Sequence, residues 1–187
     1  ALLLAALSLF AIIVLLRRQI QLKARFRDLA LKDELTGAPN RRAIMASATQ
    51  LIAAPGPGCA LALLDLDHFK LVNDSWGHDA GDEVLRCFYR TAREALRNGD
   101  LLGRTGGEEW LLLLPDFTEG GAERAFQRIR RALQAQPIPG VAADYRIRFS
   151  MGLAVIHKGE NLGEAMHRAD LALYRAKGQG RDRVVAA

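Results

Sequence analysis

Two adjacent glycines, Gly106 and Gly107, place the strongest constraint on how this chain can fold. Short apolar runs flank them, at 101–102 before the pair and at 111–114 after it, within expected strands at 101–104 and 109–114. Two such segments joined through Gly-Gly predict a β-hairpin, because a tight primed turn needs positive φ at its central residues. The chain is therefore expected to contain an antiparallel pair of strands at this point.

Two acidic residues, Glu108 and Glu109, follow the glycines directly. Acidic residues are poor strand formers, and adjacent carboxylates repel each other unless solvent or a cation separates them. The pair favours a turn that holds a positive group, and the glycines would let a flat, charged ligand approach the backbone closely. A solvated hairpin tip with two ordinary acids is the alternative, and other parts of the chain have to decide between them.

The composition indicates one globular domain with an appendage, since the chain has 187 residues of which 50% are hydrophobic and 25% charged. A net charge of +5 is compatible with nucleic acid, a membrane surface or a small polyanion as a partner. Because the basic residues form no single long block, nucleic acid is not expected. Cys59 and Cys87 are expected to be buried and reduced rather than joined in a disulfide.

The chain opens with an apolar run, 1–16, which Arg17 and Arg18 follow. This run is shorter than the ~20 residues that span a bilayer. We therefore expect a partial transmembrane helix over 1–18, cut within its apolar stretch, and the basic residues after it indicate the cytoplasmic side. A buried or interfacial helix is the alternative.

Residues 19–32 carry apolar side chains at spacings of three and four among charged ones. This pattern predicts an amphipathic linker helix that could form a short coiled coil between two subunits. Further along, Asn40 can cap a helix that reaches about Ile52. The later segments alternate between strand and helix patterns, including a strand over 145–156 interrupted at Gly152. Together with the hairpin they predict an α+β fold with a mixed or antiparallel sheet.

A continuously apolar run, 59–64, predicts a central strand buried on both faces, and Asp65 and Asp67 stand at its end. Residues two apart on a strand point to the same face, so these acids are either capping residues or metal ligands. Carboxylates that converge from this strand and from the hairpin suit a hard divalent cation, Mg²⁺ or Mn²⁺.

Cationic and amide side chains elsewhere complete a candidate nucleotide site. Lys70, Lys177 and Arg181 could bind a polyphosphate beside the metal. Asn73 and Asp82 could bind the edge of a purine. Each alone is more typical of a surface or capping residue, but together they indicate metal-dependent nucleotidyl transfer.

Several of these segments, in this order, resemble the signature of GGDEF-domain diguanylate cyclases. The matching segments are 65–70, 73–74, 77–78, 81–82 and 106–109, preceded by the Asp-x-Leu-Thr-Gly and Asn-Arg-Arg residues of 33–42. The resemblance makes 33–187 the catalytic domain. It implies an α/β (α+β) fold similar to adenylyl cyclase catalytic cores, with a central five-stranded, mainly antiparallel sheet wrapped by helices.

The resemblance implies that two GTP molecules condense into cyclic di-GMP and two pyrophosphates at a homodimer interface. The metal ligands it implies are Asp65, the Leu66 carbonyl, Glu108 and Glu109. Glu108 or Glu109 would assist deprotonation of the ribose 3′-hydroxyl, and the sequence does not separate the two. The substrate residues it implies are Asn73, His78 and Asp82 near the guanine, Gly106 and Gly107 in the hairpin, and Lys70, Lys177 and Arg181 at the phosphates and the transition state.

A further short match, Arg97 and Asp100, resembles the family's Arg-x-x-Asp product-binding inhibitory site. A basic helix end followed by a turn acid gives the same pattern. The chain departs from the family where Trp110 replaces the usual Phe and Thr105 the common Tyr. The larger indole is expected to shift the packing behind Glu109.

The leading interpretation is an active cyclase at the output end of a receptor in the bacterial inner membrane, with the catalytic domain in the cytoplasm. Its expected partners are GTP, cyclic di-GMP, a second copy of the chain and the membrane. A non-catalytic nucleotide sensor and a purely structural dimerisation module are the alternatives. Five residues favour catalysis by being present together: Asp65, Asn73, Asp82, Glu108 and Glu109.

Overall fold

The computed structural model describes residues 12–19, 30–53, 58–118 and 120–187. Its strands are β1 (Ala60–Leu66), β2 (Leu101–Gly106), β3 (Glu109–Leu114), β4 (Phe149–Val155) and β5 (Val184–Ala186). Its helices with defined bounds are α1 (Arg41–Ala53), α2 (Phe69–Trp76), α3 (His78–Ala95), α4 (Gly121–Gln134) and α5 (Leu162–Gly178).

The strands form one five-stranded sheet in the order β2-β3-β1-β4-β5. β1 lies at its centre and pairs antiparallel with β3 and β4, and β2 pairs antiparallel with β3. β5 pairs parallel with β4, so the sheet is mixed. The expected α+β fold around a five-stranded sheet is confirmed.

Both faces of the sheet are covered by helices, which explains why β1 is apolar from Ala60 to Leu64. Ala62 and Leu64 belong to a core cluster with Phe88 of α3 and other residues of α2 and α4. Leu61, on the opposite face, packs in a second cluster with Ile44 of α1 and small residues of α5. The prediction of a central strand buried on both faces is therefore confirmed.

The expected interruption of the fourth strand at Gly152 is wrong. β4 begins later, at Phe149, and runs through Gly152 without a break. A Cβ at position 152 would lie 2.1 Å from the Ala169 carbonyl oxygen and 2.2 Å from the Leu173 nitrogen. The glycine is thus part of a regular strand, and it is required because the backbone of α5 packs directly against it.

The start of the globular part agrees with the capping prediction. Asn40 Oδ1 accepts a hydrogen bond from the Ala43 nitrogen at 3.1 Å, as an N-cap residue does. Cys59 and Cys87 are buried and free, as expected. The side chain of Asn40 also donates to the Ala30 carbonyl at 3.0 Å, which ties the preceding segment to this helix start.

Most of the predicted transmembrane segment and of the linker helix lies outside the described residues. Residues 12–19 are helical, and the side chains of Ile12, Leu15 and Leu16 are exposed. Within the described part of the chain, no helix has the length and apolar character needed to cross a membrane. The membrane and coiled-coil expectations stay predictions.

Candidate active site

The hairpin forms where the glycine pair predicts it. β2 ends at Gly106 and β3 begins at Glu109, so Gly107 and Glu108 make the turn. Gly107 has φ 44°, in the left-handed region that favours glycine. The pairing shifts register between Arg104 and Gly106, which places a bulge just before the turn.

Arg104 holds this turn to the start of the domain. Its Nε donates to the Gly107 carbonyl at 2.9 Å, and its Nη1 donates to Asp33 Oδ1 at 2.9 Å. Burial by itself would raise the pKa of Asp33, but hydrogen bonds from Thr36 and Arg104 outweigh it and hold that pKa below its usual value. This role of Arg104 was not predictable from the sequence, because one basic residue in a strand carries no local signal.

The acid-bearing end of β1 lies beside the hairpin. Asp65 is opposite Glu109 in the β1–β3 register, and the Leu66 nitrogen donates to the Glu108 carbonyl at 3.3 Å. Asp65 is buried, and Lys177 Nζ lies 2.8 Å from its Oδ2. Five predicted site residues therefore lie near the same end of the central strands: Asp65 and Leu66 of β1, Glu108 of the turn, Glu109 of β3 and Lys177 of α5.

The donor atoms at this end of the sheet suit a divalent cation. Asp65, the Leu66 carbonyl and Glu108 offer only oxygen atoms, which hard cations prefer. Among the residues that the structure describes, no three His, Cys, Asp or Glu side chains are grouped closely enough to form a metal site by themselves. Lys177 shares the Asp65 carboxylate, so a cation bound there would compete with the ammonium group for it.

Asp67 is tied to two distant segments rather than directed toward the acids of the hairpin. Its Oδ1 accepts from Ser150 Oγ at 2.8 Å, and its Oδ2 accepts from the Asp182 nitrogen at 3.0 Å. Burial raises the pKa of Asp67 and the charge of Asp65 adds to this, while both hydrogen bonds and the charge of Arg181 oppose it. Its observed contacts therefore tie strand β4 and the turn after α5 to the end of β1, and the helix that follows Asp67 has no side-chain cap.

The residues proposed for guanine lie together on two consecutive helices. Asn73 is in α2, and Asp82 is near the start of α3. A Cβ at Gly81 would lie 2.0 Å from Asn73 Oδ1, so the amide lies directly against the glycine that precedes Asp82. Asp82 Oδ2 is 4.0 Å from Arg86 Nη2, and both side chains are exposed to solvent.

Three further predicted residues are exposed to solvent. His78, the first residue of α3, and Lys70 of α2 are exposed. Arg181 is exposed in the turn that follows α5, where its φ is 64°. The next residue, Asp182, has φ 47° and forms an ion pair with Arg130 of α4 at 2.9 Å.

The Arg-x-x-Asp residues form a compact turn immediately before β2. Asp100 is buried, and its Oδ2 accepts a hydrogen bond from the Arg97 nitrogen at 3.1 Å. Arg128 of α4 lines the same narrow pocket, and its Nε donates to the Ala95 carbonyl at 2.9 Å. The place of Arg128 at this pocket was not predictable from the sequence, because Arg128 lies on α4 and the motif lies before β2.

Trp110 is fully buried on the face of β3 that α3 covers. It stacks on Tyr89 at a centroid distance of 5.9 Å and an interplanar angle of 6°, and it contacts Phe88 at 5.1 Å. Its Nε1 has no hydrogen-bond partner within the described part of the chain. The indole is thus accommodated in the core, one residue from Glu109.

Comparison with known proteins identifies the family. Residues 30–183 match the family model described as "Diguanylate cyclase, GGDEF domain". The diguanylate cyclase DgcP of Pseudomonas aeruginosa is 42% identical over 165 residues, which are 86% of this chain and 24% of DgcP. DgcM of Escherichia coli K12 is 38% identical over 172 residues, 90% of this chain and 41% of DgcM. The chain thus spans less than half the length of these two relatives.

Two solved structures share the fold over nearly the whole chain. The coiled coil and GGDEF domain of DgcB from Caulobacter crescentus, in complex with c-di-GMP, has a TM-score of 0.87 and 30% identity, covering 96% of this chain and 97% of that one. Diguanylate cyclase SiaD from Pseudomonas aeruginosa, in complex with its activator SiaC, has a TM-score of 0.81 and 35% identity, covering 98% and 73%. The chain belongs to the GGDEF-domain diguanylate cyclase family.

Proposed function

We propose that this chain condenses two molecules of GTP into cyclic di-GMP and two pyrophosphates. One observation carries the proposal: Asp65 and Leu66, at the end of β1, lie beside Glu108 of the hairpin turn, and Lys177 is ion-paired with Asp65. Oxygen donors beside a cation suit a metal-bound triphosphate. Relatives named as diguanylate cyclases at 42% and 38% identity support it.

GGDEF diguanylate cyclases generally use a divalent metal, and we propose Mg²⁺ or Mn²⁺ here. Asp65, the Leu66 carbonyl and Glu108 would hold it, with Glu109 adjacent on β3. When bound, the metal polarises phosphoryl oxygens and neutralises charge that develops on them. Because Lys177 is ion-paired with Asp65, a metal bound there would compete with this contact and would free the ammonium group for the phosphates.

Base recognition would fall to the α2–α3 pair. The Asp82 carboxylate can accept hydrogen bonds from the N1–H and N2–H₂ groups of guanine, which adenine does not offer. The Asn73 amide, held against Gly81, would bind a second position on the base. His78 lies at the start of the same helix and would stand near the guanine.

Proton and phosphate chemistry would be divided among the remaining residues. Glu108 or Glu109 would take the proton of the attacking 3′-hydroxyl, since both carboxylates stand at the hairpin. Lys70, Lys177 and Arg181 would bind the triphosphate and stabilise the charge of the transition state. The hairpin glycines would leave the backbone open to close approach by the nucleotide.

The reaction requires two copies of the chain, because one domain would hold one GTP. The two nucleotides would meet across a homodimer, where in-line attack tolerates little misplacement. We propose that 19–32 sets this encounter as a coiled coil, a segment type that the DgcB structure also includes. We further propose that 1–18 attaches the chain to the bacterial inner membrane, with the catalytic domain in the cytoplasm.

The turn before β2 would supply product inhibition. Arg97 and Arg128 would offer guanidinium groups to the phosphates of cyclic di-GMP, and Asp100 would accept from its guanine. Asp100 already fixes the turn through the Arg97 nitrogen, so its carboxylate is preorganised for a ligand. The product named in the DgcB complex supports binding of this compound by the family.

Incubation of the purified chain with GTP and Mg²⁺, followed by mass analysis of the products, tests this function. The expected result is cyclic di-GMP and pyrophosphate, with no cyclic product from ATP and none after chelation of the metal. The oligomeric state is measured in parallel, since a monomer would bring no two nucleotides together. A dimer that binds GTP or cyclic di-GMP and forms no product would contradict catalysis and favour the sensor alternative.

A further inference from the structure

We propose that Asp67, Asp182 and Arg130 are positioning residues that fix the turn carrying Arg181, and thereby set how tightly the site binds the GTP phosphates. The inference rests on the proposed function, which uses Arg181 as a phosphate-binding cation. It concerns three residues to which no role in that function has been given.

The turn after α5 has a backbone conformation that other contacts must hold in place. Arg181 and Asp182 are consecutive non-glycine residues with φ 64° and 47°. Each costs about 1–2 kcal/mol relative to an ordinary conformation. Backbone hydrogen bonds hold both ends of the turn, from the Arg181 nitrogen to the Ala176 carbonyl at 3.0 Å and from the Met151 nitrogen to the Arg183 carbonyl at 2.9 Å. These bonds leave Asp182, between the two ends, to be held by other groups.

Asp67 provides the first tie, from the strand end that carries the proposed metal ligand. Its Oδ2 accepts a hydrogen bond from the Asp182 nitrogen at 3.0 Å, across 115 residues of sequence. Its Oδ1 accepts from Ser150 Oγ at 2.8 Å, so both carboxylate oxygens have fixed partners. Asp67 is only 6% exposed. A buried acceptor with two defined donors holds its geometry more firmly than an exposed one.

Arg130 of α4 provides the second tie, through the side chain of Asp182. Its Nε lies 3.2 Å and 3.0 Å from the two carboxylate oxygens of Asp182, and its Nη2 lies 2.9 Å from Oδ2. A guanidinium that meets a carboxylate through two nitrogens fixes orientation as well as distance. Asp182 is therefore held by its backbone from β1 and by its side chain from α4.

These two ties set where the Arg181 side chain begins. Lys177 already meets Asp65 at 2.8 Å, which brings α5 to the site. Arg181 lies four residues after Lys177. Its position relative to Asp65 depends on Asp182, the next residue, which Asp67 and Arg130 hold. Release of the turn would misplace this cation, and a small misplacement of a positioned group costs about tenfold or more in a reaction of this kind.

The test uses three substitutions and one matched control. Arg130→Gln and Asp182→Asn break the ion pair, and Asp67→Asn removes one of the two acceptors. Arg131→Gln is the control, because Arg131 is an exposed arginine on the same helix. For each variant we would measure kcat and KM for GTP, the affinity for a non-hydrolysable GTP analogue, and the thermal midpoint.

The expected result is a rise of about fivefold to twentyfold in the GTP KM and in the analogue dissociation constant, together with a fall in kcat, because Arg181 would also stabilise the charge of the transition state. The double variant Arg130→Gln/Asp182→Asn should bind no more weakly than either single variant, because both remove the same contact. A purely structural role would lower the thermal midpoint without this shift in KM.

Two outcomes would overturn the inference: folded variants with parental KM and analogue affinity, or the same shift in Arg131→Gln. A dimeric parent chain that binds the analogue but makes no cyclic di-GMP would instead refute the proposed function, and the affinity series would still judge the positioning role. A parent chain that neither binds the analogue nor turns over GTP would refute both.

Discussion

The two ends of β2 carry charged residues that are held in very different ways. At the hairpin end, beyond Gly106, the contacts join distant parts of the chain, as when Lys177 of α5 bonds to Asp65 of β1 at 2.8 Å. At the opposite end, the contact is local, from the Arg97 nitrogen to Asp100 Oδ2 at 3.1 Å, three residues away.

The two ends of β2 therefore depend on different parts of the fold. The turn before β2 is closed by a hydrogen bond between residues three apart, and its pocket is completed by the segment after β3 and by α4, which carries Arg128. The hairpin end needs the whole fold, because β1, the hairpin and α5 must all be in place before Asp65 meets its neighbours. Substitutions at the hairpin end should therefore affect catalysis, and substitutions at the turn should affect inhibition.

The largest effect is expected for Asp65→Asn at the hairpin end. The amide keeps the shape of the side chain but removes the charge that Lys177 and a metal would share, so formation of cyclic di-GMP should fall about a thousandfold or more. Initial rates with GTP and Mg²⁺ measure the loss, and circular dichroism checks the fold. Asp144→Asn, an exposed acid, is the control. A rate near the parental value for Asp65→Asn would refute the metal assignment.

A smaller effect on catalysis is expected for Gly81→Ala, at the contact between α2 and α3. The new Cβ would lie 2.0 Å from Asn73 Oδ1, so the amide must move and the GTP KM should rise about tenfold. Alanine is also the better helix former by about 1 kcal/mol, so a weaker helix cannot explain the higher GTP KM. Gly178→Ala, a helix glycine with open space at its Cβ position, is the matched control. An unchanged KM would separate Asn73 from guanine binding.

At the other end of β2, Arg97→Ala and Arg128→Ala should each raise the inhibition constant of cyclic di-GMP about tenfold or more, because each removes a charged hydrogen-bond donor. Progress curves with added product measure the constant, relative to the turnover of each variant. Arg131→Ala on the same helix is the control. Parental inhibition in both variants would show that the Asp100 turn serves only the fold.

The same division between local and distant contacts explains how far the sequence could predict the structure. Glycines, apolar runs and capping residues act within a few positions, so they predicted the hairpin, the buried strand β1 and the Asn40 cap. The continuity of β4 through Gly152 was not predicted, because it depends on the approach of α5, which no local pattern records.

The candidate site was predictable only as far as its residues lie in short motifs. Asp65, Glu108 and Asn73 do, and the resemblance to a known family grouped them. The partners that hold them do not: Arg104 reaches Asp33, and Asp182 reaches Asp67, across many residues of sequence. Such contacts become visible only when the fold brings separate elements together.

The smallest effect is expected for Trp110→Phe, between the two ends. The indole Nε1 is buried with no hydrogen-bond partner within the described residues, and an unsatisfied buried donor costs about 1–3 kcal/mol. Phenylalanine removes that cost but leaves a smaller ring against Tyr89 and Phe88, a loss of similar size. The free energy of unfolding should therefore change by less than about 1 kcal/mol, with the rate of turnover near parental.

Urea denaturation of Trp110→Phe beside Trp110→Ala checks this balance. The alanine variant removes the whole ring from the core and should lose about 3–5 kcal/mol. If the free energy of unfolding of Trp110→Phe falls by a comparable amount, the unpaired indole N–H does not destabilise the fold. The packing of the indole ring on Tyr89 then stabilises β3. If it keeps its stability but loses turnover, the position of Glu109, the next residue toward the turn, depends on the indole.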